Sequence, residues 1–438
     1  MHAEATTLNV REFINNRPLS RNQWMLIALC FLIVAVDGMD VAIMGFVAPS
    51  ILAEWQVSRA AFGIVMGAAP IGLAIGALVA GSSSDWWGRR RVLLASVFFF
   101  GVCTLLTALA RNPTEMALLR LLTGLGLGAA MPNSTTLLSE YVPEHRRAFL
   151  AALMFTGFNL GSAMVGFVAA AMIPAFGWRS VLFVGGALPL LMLPLLFALL
   201  PESARFMVAR GHASEAIGRV LARVTRSRPL AFSAYSTGDA PIAARQPLAV
   251  LFHPGFRLRT LTLWLTYFMG LLVIYLTTSW LPTMMKDAGM TVERAATVTA
   301  LFQLGGTAGA LVIGWLMDRF NPNRVIATAY VLGAVALVAT GVIGLLSASL
   351  ITLIILVGFC LSGAQTGLNG FAPGCYPTLA RATGVSWMQG IGRLGSILGS
   401  SIGGVLLGQG WGFQGIFYAL AVPAALAGVA ILANRRGL

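Results

Sequence analysis

Gly81-Ser-Ser-Ser-Asp85-Trp-Trp-Gly88-Arg89-Arg90-Arg91 separates two long apolar runs, and its opening pattern of glycine, three residues and aspartate returns as Gly314-Trp-Leu-Met-Asp318. Other pairs return at almost the same shift. Leu160-Gly161-Ser162 reappears as Leu394-Gly395-Ser396, Gly124 as Gly358, and the pair Pro143 and Arg147 as Pro377 and Arg381. Each match is weak alone. Together, at a common offset of 233 or 234 residues and at corresponding places in runs and loops, they mark an internal duplication.

The composition says what is duplicated. Of 438 residues, 58% are apolar and only 10% charged, with 49 glycines. A water-facing surface needs about a quarter of its residues charged, whereas a lipid-facing one does not, and small residues let membrane helices approach closely. Marking apolar runs of about 20 residues, the length that crosses a bilayer core, predicts twelve transmembrane helices. An N-terminal segment at 1–23 precedes a six-helix bundle at 24–200. A polar connection at 201–259 follows, then a second bundle at 260–433 and a tail at 434–438. An even number of spans separates the repeated pairs, so the halves are parallel repeats, an arrangement that puts the binding site between them near the midplane. Within the connection, the stretch from Glu202 to Val224 is expected to form one surface amphipathic helix.

The formal charge of +14 does not indicate nucleic acid. The basic residues sit in short clusters between apolar runs rather than along one face. With both termini inside, 22 of the 29 lie in inner segments and five in outer loops. The nine in the long connection weigh little, and thirteen against five still sets the orientation. No cleavable leader is expected, because the apolar run after residue 23 is too long for one. The four cysteines lack ligand spacing, the four histidines fall outside the spans, and no metal site or cofactor is expected. No nucleophile–base pair or phosphate loop stands out, so an enzyme is not expected.

Four charges fall well inside predicted spans: Asp37, Asp40, Arg120 and Arg393. Each needs a partner, a wet cavity or a proton. Asp37 and Asp40, three apart, share a helix face in span 1. A carboxylate there can load a proton from one side and release it to the other, as proton coupling requires. Arg120 in span 4 can instead pair with one of them. Arg393 in span 11 has no acidic residue within its own half's spans. An anionic substrate can answer it, since a guanidinium fits a carboxylate fork; Asp37 of the other half is the alternative. Asn159, Gln303 and Asn369, with Asn133, Gln365 and Gln389, are neutral groups able to hydrogen-bond a substrate or to join helices. Tyr275 and Trp387 are the better candidates for an aromatic wall that also includes Tyr267 and Phe302, and Trp280 is expected to anchor at the membrane boundary.

The loop from Gly81 to Arg91 resembles the signature between spans 2 and 3 of the major facilitator superfamily. Arg120-Leu-Leu-Thr-Gly124-Leu-Gly126-Leu-Gly128 resembles that superfamily's span 4, and Glu140, Pro143 and Arg147 its cluster between spans 4 and 5. The resemblance implies the all-α major facilitator fold and a gate built from Gly81, Asp85, Gly88, Arg89, Arg90, Glu140 and Arg147, with Asp318 and Arg381 as second-half counterparts. Within the superfamily, Asp37-Gly38-Met39-Asp40 with Gly45-Phe46-Val47-Ala48-Pro49, Pro201-Glu202-Ser203, Trp280-Leu281-Pro282 and Gly390-Ile-Gly392-Arg393-Leu-Gly395 are similar to the aromatic acid:proton symporter family, whose members take up benzoate-like anions. That implies proton coupling at Asp37 and Asp40 and functional roles for Arg120 and Arg393. The expectation is a monomeric, multi-pass carrier of the bacterial inner membrane that couples protons to uptake of a small aromatic carboxylate. Muconate-like dicarboxylates, sugar acids and export are the rivals. Export is the least supported, because the stretch from Gly157 to Gly166 lacks the Gly-Pro pair typical of drug antiporters.

Overall fold

In the computed structural model the chain is described at residues 7–227, 232, 234–237, 251–343, 349–376 and 378–434, with side chains at all of these except 80–82, 85, 148 and 378–382. Twelve long helices, here α1–α12, account for most of it. They are Arg21–Trp55, Arg59–Trp87, Arg89–Thr107, Pro113–Tyr141, Glu144–Phe176 and Trp178–Leu199, then Pro254–Asp287, Val292–Arg319, Pro322–Ile343, Ser349–Phe371, Thr378–Gly408 and Phe413–Leu432. Most outrun the apolar stretches, because capped polar turns extend them at the ends. Ser20, for example, opens α1 with a reciprocal capping box through Gln23. Among the described residues, eleven of the twelve are apolar and long enough to cross a membrane. The exception is α4, whose 29 residues include Glu115, Arg120 and Glu140.

The duplication is visible in the packing. In the first half α2 lies mainly on α4, α1 on α5, and α6 on α3; in the second, α8 lies on α10, α7 on α11, and α9 on α12. The repeated glycines explain why the sequence matches survive. A Cβ on Gly124 would stand 2.1 Å from the carbonyl oxygen of Ala69, and one on Gly358 2.0 Å from that of Phe302. Likewise Gly161 meets the carbonyl of Ala35 at 1.8 Å and Gly395 that of Phe268 at 2.3 Å. Backbone therefore touches backbone at equivalent points of both halves, which only a residue without a side chain permits.

The halves meet through α5 with α8, α2 with α11, and α1 with α7. Call the end of the bundle that holds the start of α1 and the connection between the halves the basic face. On the opposite face the halves are closed together. Arg59 at the start of α2 donates to Asp287 at the end of α7 (2.8 Å), and Gly63 and Gly404 leave room for the carbonyls of Ser401 and Arg59. Trp280 is not the exposed anchor that was expected. It is fully buried, packs on Gly403 and Gly404, and donates to the Ser400 carbonyl at 2.7 Å.

The connection does not form the single amphipathic helix expected from Glu202 to Val224. Gly211, at φ +67°, breaks it into Ala204–Ala209 and Ser214–Thr225. Phe206, Met207, Ile217, Leu221 and Val224 turn inward onto the first half. A short parallel pair, β1 (Thr7–Asn9) and β2 (Ala234–Ser236), ties the N-terminal segment to the connection.

The glycine contacts predict a measurable asymmetry. Gly161→Ala must push the Ala35 backbone away and is expected to cost about 1–3 kcal/mol, lowering the unfolding temperature in detergent. Gly390→Ala, with nothing within 4 Å, is expected to leave it unchanged or raise it slightly.

Candidate functional site

The first charged group in the core is consumed by structure. Arg120 and Asp40 are both fully buried. The guanidinium of Arg120 donates through Nη2 to Asp40 Oδ2 at 2.9 Å, through Nη1 to Oδ1 at 3.3 Å, and again through Nη2 to the Asp40 carbonyl at 3.0 Å. The hydroxyl of Thr104, from α3, donates to the same carboxylate. Three helices of the first half thus meet at one carboxylate, with Arg120 Nε left without a partner among the described residues. Of the two roles open to the aspartates, pairing with Arg120 goes to Asp40.

Asp37, one turn earlier, is different. It is 2% exposed, and its Oδ1 has no hydrogen-bond partner among the described residues. No salt bridge to it occurs among the described residues. The charges felt there are Arg393, which attracts, and Asp40, which repels. Arg393 enters from α11 of the other half and is half-buried. It forms no ion pair among the described residues; Tyr275 lines the same cavity and feels its charge. The cross-half Asp37–Arg393 pair is therefore a long-range attraction and not a salt bridge.

Arg393 lines a cavity of about 330 Å³ between the halves. Its lining lies on the stretches of α4, α5, α7, α10 and α11 between mid-helix and the basic face, which sets it on the far side of the closure at Trp280. From the first half come Met131, Pro132, Thr135, Thr136, Phe155 and Phe158, with Asn159. The second half supplies Tyr267 and Tyr275 from α7, and a polar stripe on α10 made of Ser362, Gln365, Thr366 and Asn369. Their spacing, three, four and seven residues on from Ser362, keeps all four on one face of the helix. One wall is apolar and aromatic, the other cationic and rich in amides.

The stripe is held from behind. The buried Tyr330 donates its hydroxyl to Gln365 Oε1 at 2.7 Å, in space that a Cβ on Gly270 would occupy. Tyr267 lines the same cavity as Gln365, Asn369 and Arg393. Ser362 Oγ, Gln365 Nε2 and Asn369 Oδ1 have no partner among the described residues.

Of the predicted substrate residues, Arg393, Asn159, Tyr275 and Asn369 come together on this cavity. Arg120 and Gln303 do not. They line a second, smaller void of about 30 Å³ nearer the closed face, which Asn159 and Tyr275 also border. That is room for a water molecule or two. Gln303 donates to Thr278 at 3.2 Å. Trp387, expected in the aromatic wall, is displaced by a better partner. It stacks on Trp264 (centroids 6.0 Å apart) and is 47% exposed, outside the cavity lining. Sequence reasoning passed over Ser362, Thr366, Phe155 and Phe158; the polar i, i+3, i+4, i+7 pattern in an apolar helix was the available clue for the first two.

Of the gate residues, Arg89 Nε lies 3.7 Å from Glu140 Oε1, and its Nη1 donates to the Ser84 carbonyl at 3.0 Å. Gly88 takes φ +93° at the turn into α3. The carboxylate that caps α3 is Glu202, which accepts from the backbone of Arg89 (2.9 Å), Arg90 (3.2 Å) and Ser203 (2.9 Å). Arg90 donates to the Phe197 carbonyl, and Arg147 pairs with Glu144 at 3.7 Å. Asp318 is exposed. The side chains of Gly81, Asp85 and Arg381 lie outside the described residues.

The Major Facilitator Superfamily model matches residues 30–344 and 263–437. The gallate transporter of Pseudomonas putida is 55% identical over 427 residues, covering 98% of this chain and 95% of its own length. The 4-hydroxybenzoate transporter PcaK of Pseudomonas aeruginosa is 50% identical over 426 residues, covering 97% and 95%. Among solved structures, a D-xylose-proton symporter superposes with a TM-score of 0.73 at 17% identity, over 93% of this chain and 97% of that one. This last likeness is one of fold alone.

The two aspartates should separate by stability. Asp40→Asn strands the buried guanidinium of Arg120, a loss of about 3–5 kcal/mol, so its unfolding temperature in detergent is expected well below that of the unaltered protein. Asp37→Asn removes no hydrogen bond and is expected to unfold near the unaltered temperature.

Proposed function

This chain belongs to the major facilitator superfamily and, within it, to the aromatic-acid transporters, and we propose that it takes up a hydroxylated benzoate together with protons by alternating access. In this reading all twelve long helices span the inner membrane and the basic face is cytoplasmic. A single chain then forms the whole pathway, and the conformation described here is open inward.

The observation that carries the reading is the pairing state of the four intramembrane charges. Asp40 is neutralised by Arg120, which leaves one unpaired cation on the cavity and one unpaired buried carboxylate close to it. A substrate carboxylate would complete Arg393, with the Tyr275 hydroxyl beside it. Asp37, with no partner to hold it ionised, would carry the proton. Its occupancy would be coupled to the substrate through the Arg393 field, because an anion docked on the guanidinium removes the attraction that favours the ionised aspartate. A carrier needs such linkage so that neither the proton nor the anion crosses alone. The gate residues around Arg89 and Glu140 would then close the basic face in the outward state.

The walls favour an aromatic monocarboxylate over the rival dicarboxylates and sugar acids. Arg393 is the one charged group among the described residues lining the cavity, so a second carboxylate would meet no counter-charge. Phe155 and Phe158 offer flat apolar surface to a ring. Opposite them, the unpartnered Ser362, Gln365 and Asn369 atoms can bond ring hydroxyls. A buried polar group left without a partner costs about 1–3 kcal/mol, so an unsubstituted benzoate is disfavoured. The names of the relatives, gallate and 4-hydroxybenzoate transporters, agree with that chemistry.

The deciding experiment is uptake by proteoliposomes under an imposed pH gradient, run against gallate, 4-hydroxybenzoate, benzoate and a muconate-type dicarboxylate. Accumulation of the hydroxylated benzoates, acid outside, is expected; preference for the dicarboxylate, or indifference to the gradient, would overturn the reading. Asp37→Asn is expected to abolish gradient-driven accumulation while retaining substrate exchange between the two sides. For Ser362→Ala and Asn369→Ala the apparent affinity for gallate is expected to fall about tenfold against little change for benzoate, as measured by competition.

A further inference from the structure

The hydrogen bond behind the polar stripe of α10 fixes more than a position. Tyr330, on α9, is fully buried and is not among the residues that line the cavity. Its hydroxyl donates to Gln365 Oε1 at 2.7 Å. We propose that Tyr330 is a specificity-determining positioning residue: it locks the Gln365 amide with its NH2 end left for the occupant, so that the cavity selects a ring hydroxyl over a ring amine. The inference rests on the hydroxybenzoate reading and names which substituent chemistry the amide wall recognises.

An amide has two unlike ends, one that only accepts and one that only donates. A free glutamine can turn either end to a ligand. Gln365 is not free. Tyrosine has one proton to give, and Gln365 Oε1 is the acceptor it meets among the described residues. Reversing the amide would set Nε2 against that hydroxyl and strand a buried proton, which is costly away from water. The surrounding space is shaped for this bond. A Cβ on Gly270, of α7, would stand 2.1 Å from Gln365 Oε1 and 2.3 Å from the Tyr330 hydroxyl. Gln365 itself is 6% exposed and lines the cavity, and its Nε2 has no partner among the described residues. The end left for an occupant is therefore a donor.

One turn further along α10, Asn369 lies on the same face, and its Oδ1 is an acceptor with no partner among the described residues. A donor and an acceptor so placed suit a phenolic hydroxyl, whose oxygen accepts from Gln365 while its proton goes to Asn369. A ring amine of similar size has protons to give, but its lone pair is drawn into the ring and accepts poorly. It would leave the Gln365 N–H unpaired in a buried wall. A site built to hydrogen-bond a substituent rejects the analogue that cannot complete the bond far more strongly than an apolar pocket does.

Competition in proteoliposomes against uptake of labelled gallate or 4-hydroxybenzoate tests this, setting 3- and 4-hydroxybenzoate against 3- and 4-aminobenzoate, pairs alike in size and charge. For the unaltered chain, the hydroxy member of at least one pair is expected to compete about tenfold better than its amino partner. Y330F removes the proton that holds the amide and is expected to bring that ratio close to one. G270A keeps both partners but crowds their bond, so it is expected to lower the ratio too, and it carries the test should Y330F not fold. Q365L is expected to lose the preference, and Y330F/Q365L to show no further change, because Tyr330 acts through Gln365. A purely structural role for Tyr330 would weaken both members of a pair alike; an unchanged ratio in Y330F and G270A would overturn the proposal while leaving the hydroxybenzoate reading intact. Equal competition by both members in the unaltered chain would overturn it as well. Absence of uptake of either labelled acid by the unaltered chain would instead defeat the hydroxybenzoate reading, and this inference with it.

Discussion

The guanidinium of Arg120 lies across both carboxylate oxygens of Asp40, with the Thr104 hydroxyl on the same group and no exposure to solvent. An ion pair sealed in a membrane bundle is costly to desolvate and costlier to break, so it locks α1, α3 and α4 of the first half in one arrangement. Its chemical consequence reaches further. By satisfying one of two neighbouring aspartates it leaves the other, Asp37, as a buried carboxylate without a partner, and it removes one of the two intramembrane arginines from competition. What remains near the cavity is one acid and one base on opposite halves, close enough to feel each other and not bonded.

That residue of charge lies at the interface between two halves of like construction. The close backbone contacts at Gly124 and Gly358, and at Gly161 and Gly395, make each half a tightly packed unit. Dense packing of this kind favours movement of whole bundles over local deformation. The cavity lies where the two units diverge, while on the opposite face they are joined by the Arg59–Asp287 pair and by the close backbone approaches at Gly63 and Gly404. The symmetry is in the scaffold and not in the chemistry: Asn159 occupies the place that Arg393 has in the second half, so the cation, the tyrosines and the amide stripe all fall on one wall.

The connection between the halves belongs structurally to the first. Glu202 caps α3, Tyr141 donates its hydroxyl to the Glu202 carbonyl, and Leu221 and Val224 are buried against the same core. Its composition suggested a surface helix followed by linker. Gly211 and the buried apolar faces of its two short helices make the first part a docked cover over the basic end.

The class of the protein, its duplication, its twelve helices and the four charges worth attention were legible in the chain, because hydropathy and the intolerance of lipid for bare charge act on single residues and short windows. Asp37, Arg393, Asn159, Tyr275 and Asn369 were all reachable that way. Which aspartate Arg120 would claim was not, since Asp37 and Asp40 share a helix face and the choice depends on where α4 and Thr104 of α3 come to lie. Nor was the fate of Trp387 and Trp280, one stacked on Trp264 outside the cavity lining and the other sealed in the closure. Local chemistry marked which groups needed partners. Only the packing of helices distant in sequence decided who the partners are, because a hydrogen bond is made across a few ångströms of space and not along the chain.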